Sequence, residues 1–240
     1  MVEFQRKDFY SYEDFLEIMR LLRAPGGCPW DREQTHSSIR RNFLEETYEV
    51  LDAIDHDDAS GMCEELGDVL MQVAFHAQIE AERGRFTMAN VVDGVARKLV
   101  YRHPHVFGDV QADTSQQVLA NWDVLKRREK GQRSTADAVE AVPHTLPALW
   151  RAEKIVSRSV KAGFNWDSIA GALDKLDEES AELRQAVEAG GAVDSPHGVR
   201  EEIGDALFIL CKIAQMSGVD PEDALSVACD KFARRFRQVE

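Results

Sequence analysis

Positive charge is in short supply: 29 Lys and Arg stand against 43 Asp and Glu in 240 residues, a formal net charge of −14. A surface of that sign repels phosphate polyanions, which excludes a basic nucleic-acid binder. Any phosphorylated ligand then needs local basic residues or bound cations. Cysteine is also scarce, and Cys28, Cys63, Cys211 and Cys229 form no C-x-x-C pair. A chain of this size needs no disulfide staples, so a reduced, cytoplasmic setting is expected. No uncharged apolar run approaches the roughly 18 residues of a membrane span, and the N-terminal MVEFQRKDFYSYEDFLEIMRLL is charged throughout, so neither membrane insertion nor export is expected. Alternating strand runs joined by Asn-Gly or Asp-Gly turns are missing, as are a P-loop, a G-x-G-x-x-G and a Ser-His-Asp order. Phosphate chemistry of the Walker type is therefore not supported.

What is present is helical periodicity. Apolar residues recur at helix spacing, as in Ile39, Phe43, Leu44, Leu51, Ile54 and again in Leu66, Val69, Leu70, Val73, Ala77, and the chain reads as all-α. With 44% hydrophobic residues, it has enough apolar material for one large or two small cores. Breakers fall at 25–29, 103–105, 131–147 and 190–198. The third of these, GQRSTADAVEAVPHTLP, has few large apolar residues and two prolines, and is the expected linker. It divides the chain into modules at 1–130 and 148–240.

Laid over each other, the two sides show an order-preserving repeat. The first reads CPWD, FLEETYEVLDAI, CEELGDVLMQVA, RKLVYRH; the second reads FNWD, KLDEESAELRQA, REEIGDALFILC, DKFARRF. Glu46 and Glu49 match Glu179 and Glu182, Glu65 and Asp68 match Glu202 and Asp205, and Lys98 with Arg102 matches Lys231 with Arg235. A duplicated helical module is the economical reading. Within each copy, carboxylates three apart share a helix face, and two such helices packed antiparallel bring four of them together. Like charges that close persist only where cations or protons neutralise them. All-oxygen ligation without Cys or His selects Mg²⁺, with Mn²⁺ as a substitute. The metal candidates are thus Glu46, Glu49, Glu65 and Asp68, and Glu179, Glu182, Glu202 and Asp205.

Each feature also has a plainer explanation. A lone E-E-x-x-E is an ordinary solvated face in an acidic protein, but its pairing with E-x-G-D in both copies argues against that. Gly67 and Gly204 cost about 1 kcal/mol each relative to Ala, which suggests close approach of a helix backbone or a ligand. The basic pairs are either phosphate clamps or surface ion pairs. Lys175 joins them as a candidate substrate contact. Trp30 and Trp166 either stack on a nucleobase or fill core. His103-Pro104-His105 lacks a third ligand and reads as loop or core structure.

Carried by GGCPWDREQTH, LEETYEVLDAI, EELGDVLMQVAFHAQ, RHPHVFGD, LPALWRAEKI, GFNWD, EEIGDALF and KFARRFRQVE, the chain resembles the MazG family of nucleoside triphosphate pyrophosphohydrolases over nearly its whole length. The resemblance implies two tandem MazG-like helical-bundle modules and a homodimer. It also implies Mg²⁺-dependent hydrolysis of NTPs and dNTPs to monophosphate and pyrophosphate in nucleotide-pool house-cleaning. It assigns metal binding to both carboxylate quartets, catalysis to Glu179, Glu182, Glu202, Asp205, Lys231 and Arg235, and phosphate contacts to the last two. RHPH in the first copy replaces RRFR, so the first clamp departs from the second. A non-catalytic module that holds Mg²⁺ or nucleotide for regulation is the alternative, and a helical scaffold with acidic faces is the plainest one.

Overall fold

The computed structural model describes residues 4–129, 131, 134–190, 193 and 196–238. Among these it is all-helical, with no strand: α1 (Tyr12–Arg23), α2 (Pro29–Glu33), α3 (Arg40–Asp55), α4 (Ala59–Glu82), α5 (Met88–Arg102), α6 (Pro104–Phe107), α7 (Ser115–Glu129), α8 (Thr135–Glu140), α9 (Ala148–Val160), α10 (Ile169–Ala189), α11 (Val199–Ser217) and α12 (Pro221–Phe236). It divides into two compact units, one up to Val118 and one from Leu119, the boundary falling inside α7. Of the expected linker, Gln132 and Arg133 lie outside the described residues, and α8 occupies part of the rest.

In the first unit, α3 and α4 form a hairpin. Asp58 closes it, its carboxylate accepting from the amides of Ser60 and Gly61 at the start of α4, while Asp57 takes the left-handed conformation that Asp tolerates. Gly61 lies opposite Ala53, so small residues let the two backbones come together near the turn. The core of this unit gathers Met19 of α1, Ile39, and Ala74, Phe75 and Ile79 of α4, with Phe15, Leu16, Leu22 and Met71 around it. Arg23 ties this core to the PWD segment. Its guanidinium forks onto Glu82 at 2.8 Å through Nε and Nη2, donates to the carbonyls of Asp31 and Gln34, and lies 5.2 Å from the Phe75 ring centre. His36 meets His76 at 2.7 Å and Glu80 at 2.5 Å, fastening the approach to α3 against α4.

The second unit repeats the hairpin as α10 and α11, with α9 packed on α11 and α12. Ser168 caps α10 by accepting from the Gly171 amide, and Gly190 and Gly218 end α10 and α11 in the left-handed conformation that other residues resist. Its buried side chains include Val142, Val156, Ala172, Ile209 and Cys211. The largest is a charged one. Lys212, 1% exposed, donates to Asn165 Oδ1 at 2.6 Å and Gln215 Oε1 at 2.9 Å, and burial lowers its pKa. In the repeat register Lys212 stands where the first unit has Phe75.

Candidate metal centre

Antiparallel pairing of α3 with α4 sets the carboxylates against one another in reverse order. One oxygen each from Glu46, Glu49 and Glu65 lies within 4.8 Å of the others. Asp68 stands just outside that set but close enough to act on Glu46. Burial first, then the charges of Asp68 and Glu49, push the Glu46 carboxyl above the usual carboxylate range; burial and Glu49 do the same to Glu65. In the second unit the set is Glu179, Glu202 and Asp205, again within 4.8 Å. Glu182 lies outside it, yet its charge, after burial, is the next cause raising Glu202. Both sets thus bring three carboxylate oxygens together, an arrangement that could hold a cation. The donors are all carboxylate, which suits a hard divalent cation.

The two sites differ in setting. Glu201 and Glu202 fall in the first turn of α11, where the helix N-terminus favours negative charge, whereas Glu65 lies further along α4. Glu179 and Glu202 are buried, at 6% and 4% exposure, whereas Glu46 and Glu65 are half-buried and Glu49 is exposed. Lys175 reaches Glu178 at 2.9 Å and Glu179 at 2.8 Å, so a residue expected to touch substrate is engaged by the carboxylates.

Of the expected clamps, Lys231 and Arg235 are exposed on α12, one turn apart, and among the described residues neither pairs with a cluster carboxylate. Lys98 is half-buried, and Arg102 at the end of α5 is buried, unlike its counterpart Arg235. Trp166 is half-buried, edge-on to Phe164 at 6.5 Å, and its ring lies over Gly171 at the start of α10. Trp30 is 59% exposed on α2. Among the described residues nothing comes within 4 Å of a Cβ placed on Gly67 or Gly204, so no neighbouring helix of the chain crowds them; that part of the expectation is corrected. His103 caps α5 through Nδ1 to the Leu99 carbonyl at 2.6 Å and His105 sits in α6, so the HPH segment is structural. Sequence reasoning passed over Gln72, which shares the helix face of Glu65 and Asp68; its polarity inside the apolar stripe of α4 was the available signal.

Comparison with known proteins agrees with this duplication. The model of the MazG nucleotide pyrophosphohydrolase domain matches twice, at residues 34–107 and 168–240. The chain is 45% identical over 226 residues to a nucleoside triphosphate pyrophosphohydrolase of Escherichia coli, covering 94% of this chain and 85% of that one. It is 42% identical over 229 residues to the nucleoside triphosphate pyrophosphohydrolase/pyrophosphatase MazG of Thermotoga maritima, covering 95% and 85%. A nucleoside triphosphate pyrophosphohydrolase of Mycobacterium tuberculosis is 44% identical over 153 residues, covering 62% of this chain and 45% of that protein.

Proposed function

The chain belongs to the MazG nucleotide pyrophosphohydrolase family, and from that premise we propose that it hydrolyses nucleoside triphosphates to monophosphate and pyrophosphate, clearing unwanted nucleotides from the pool. The observation that carries this reading is the crowding of the Glu179, Glu202 and Asp205 oxygens within 4.8 Å beside a burial-raised Glu202 carboxyl. Such a set is unfavourable alone and favourable around a divalent cation, for which Mg²⁺ is our choice and Mn²⁺ the substitute.

When bound, the metal supplies an acidified water and screens the phosphate charge. Glu179, Glu202 and Asp205 would hold it in the second module, and Glu182 would add a further carboxylate oxygen or orient the attacking water toward the α-phosphorus. Lys175 neutralises Glu179 and orients its carboxylate. Lys231 and Arg235, exposed on α12, neutralise charge on the departing pyrophosphate, and Trp166 stacks on the base. The exposed Arg235 against the buried Arg102 supports the second module as the working one, with Glu46, Glu49, Glu65 and Asp68 as an ancillary cation site and Lys98 and Arg102 structural.

A homodimer completes the reading. Leu44, Tyr48 and Leu51 of α3, Val92, Val95 and Leu99 of α5, and Leu225, Phe232 and Phe236 of α12 are exposed apolar side chains on helix faces, which a second copy would cover. Among the described residues, no helix is long and apolar enough to cross a membrane. A cytoplasmic setting fits the substrate class.

The test is product analysis of the purified chain with each NTP and dNTP and Mg²⁺. Monophosphate with pyrophosphate, abolished by EDTA, is the expected outcome. Diphosphate with orthophosphate would refute α-phosphorus cleavage, and saturable nucleotide binding without turnover would favour the regulatory module instead.

A further inference from the structure

Gln72 stands one turn beyond Asp68 and two turns beyond Glu65 on α4, so the three share one helix face. It is 6% exposed, its carboxamide lies against Glu46 of α3, and among the described residues its Oε1 has no hydrogen-bond partner. A buried carbonyl oxygen without a partner is uncommon and unfavourable. The fold does not require it here. In the register that matches Glu65 with Glu202 and Asp68 with Asp205, this position in the second module is Ile209, equally buried at 5% exposure. An apolar side chain thus fills the corresponding slot between the two helices of the other hairpin. What differs is what the side chain offers to the carboxylates beside it.

We propose that Gln72 Oε1 is a further oxygen ligand of the N-terminal cluster, which thereby holds a divalent cation with a neutral carbonyl oxygen added to its carboxylates. This rests on the reading of that cluster as a cation site. The NH₂ of Gln72 faces the Glu46 carboxylate and offsets part of the repulsion there. A half-turn about the terminal torsion exchanges the two ends without moving the stem, so that Oε1 would face an arriving cation and Nε2 would take the place Oε1 leaves. A carboxamide oxygen raises the ligand number and adds no negative charge, so it does not deepen the repulsion among Glu46, Glu49 and Glu65. Greater ligand number suits ions of adaptable geometry, so this cluster favours Mn²⁺ and Ca²⁺ over Mg²⁺ more strongly than the C-terminal cluster does.

The experiment titrates Mn²⁺ into the full-length, metal-free protein without nucleotide, following free Mn²⁺ by electron paramagnetic resonance. It is run in a Glu202→Gln background, which weakens the C-terminal cluster, with Ca²⁺ as competitor. Gln72→Met, which keeps the length of the side chain and removes both polar atoms, should weaken Mn²⁺ binding by about tenfold or more. Gln72→Glu, which keeps an oxygen in place, should restore it. Glu49→Gln serves as the control on the cluster itself. If Glu49→Gln abolishes binding while Gln72→Met leaves it unchanged, the role of Gln72 is refuted and the cluster survives. If neither changes binding, the cation site is refuted and the ligand role falls with it. Should Gln72→Met fail to fold by circular dichroism, Gln72→Ile, which reproduces Ile209, is read in the same way.

Discussion

Lys175 Nζ lies 2.8 Å from the buried carboxylate of Glu179, one helical turn further along α10. Hydrogen bonds to Glu179 and Glu178 hold its ammonium above its ordinary pKa, so it remains charged throughout the working pH range. It supplies a fixed counter-charge to a cluster of acids whose other basic neighbour is His197, 3.8 Å from Glu202. Lys175→Met should therefore lower the melting temperature of the metal-free protein. Melting with excess Mg²⁺ should fall less, since the cation restores the balance. Scanning fluorimetry with EDTA and with Mg²⁺ reads both; an unchanged gap between the two curves would show that Lys175 does not neutralise the cluster.

The division of labour between modules is open to substitution. Glu202→Gln removes one charge from a repulsive set and leaves the shape, so the metal-free fold should be as stable as the parent or more so. Turnover should fall on the order of 10³-fold, the effect of losing several kcal/mol of metal-borne stabilisation. Glu49→Gln in the first module should retain most of the activity. Comparable losses from both variants would make both modules catalytic.

Raised carboxyl groups give the metal-free protein an unusual response to acid. Glu46, Glu65 and Glu202 take up protons more readily in the folded chain than in the unfolded one. In the window just above the ordinary carboxylate range the native state thus binds more protons, and stability rises as pH falls through it. Glu80, held down by His36 and Arg85, and Glu82, held down by Arg23, act oppositely and withdraw stability below that range. His76, held down by burial, also withdraws stability as pH falls, so the cluster's own contribution is read as the melting temperature of the parent relative to Glu202→Gln with EDTA, which should rise as pH falls through that window. With Mg²⁺ that trend should invert, because protons displace the cation. An unchanged difference with EDTA across the window would contradict the assigned causes.

Arg23 offers a test of the first unit alone. Its guanidinium, with only 6% of the side chain exposed, joins α1, the α2 segment and α4. Arg23→Met keeps the stem over Phe75 and removes every charged hydrogen bond, which should cost about 2 kcal/mol given that Glu82 retains access to water. Urea unfolding followed by amide exchange should show the loss in residues of α1, α2 and α4 and leave α10 and α11 unchanged.

How far the sequence reached depends on which physics is local. The acidic faces were legible because residues three apart share a helix face, and the hairpins because the repeat kept its order around Glu46 and Glu65, and around Glu179 and Glu202. Burial was not legible. Arg102 and Arg235 occupy matching positions in sequence, and only packing decides that one is covered and the other faces water. The pairing of Lys175 with Glu179 follows helix spacing and was available in principle, but its charge invited a substrate role. Ser134 and Asp137 form a capping box for α8 inside a segment whose composition suggested a linker, so a short helix anchored by Ala138 and Val142 was hidden by its small residues. Asp68 and Glu182 fall outside the tightest oxygen sets for a further reason: equal spacing along two helices does not give equal reach across the gap between them.

Lys212 and its bond to Asn165 bear on how a gene with two similar halves can change. Repeated segments invite recombination, which tends to make copies alike. A chain in which α4 replaced α11 would set a phenyl ring where Asn165 now finds an ammonium. The reverse exchange would bury that ammonium beneath α1 and take away the ring over which Arg23 lies. Each core would lose these contacts on receiving the other's helix, so hybrids between the halves should fold less well than the parent. The two halves can then diverge as separate inheritances, one free to adjust its chemistry while the other holds its own.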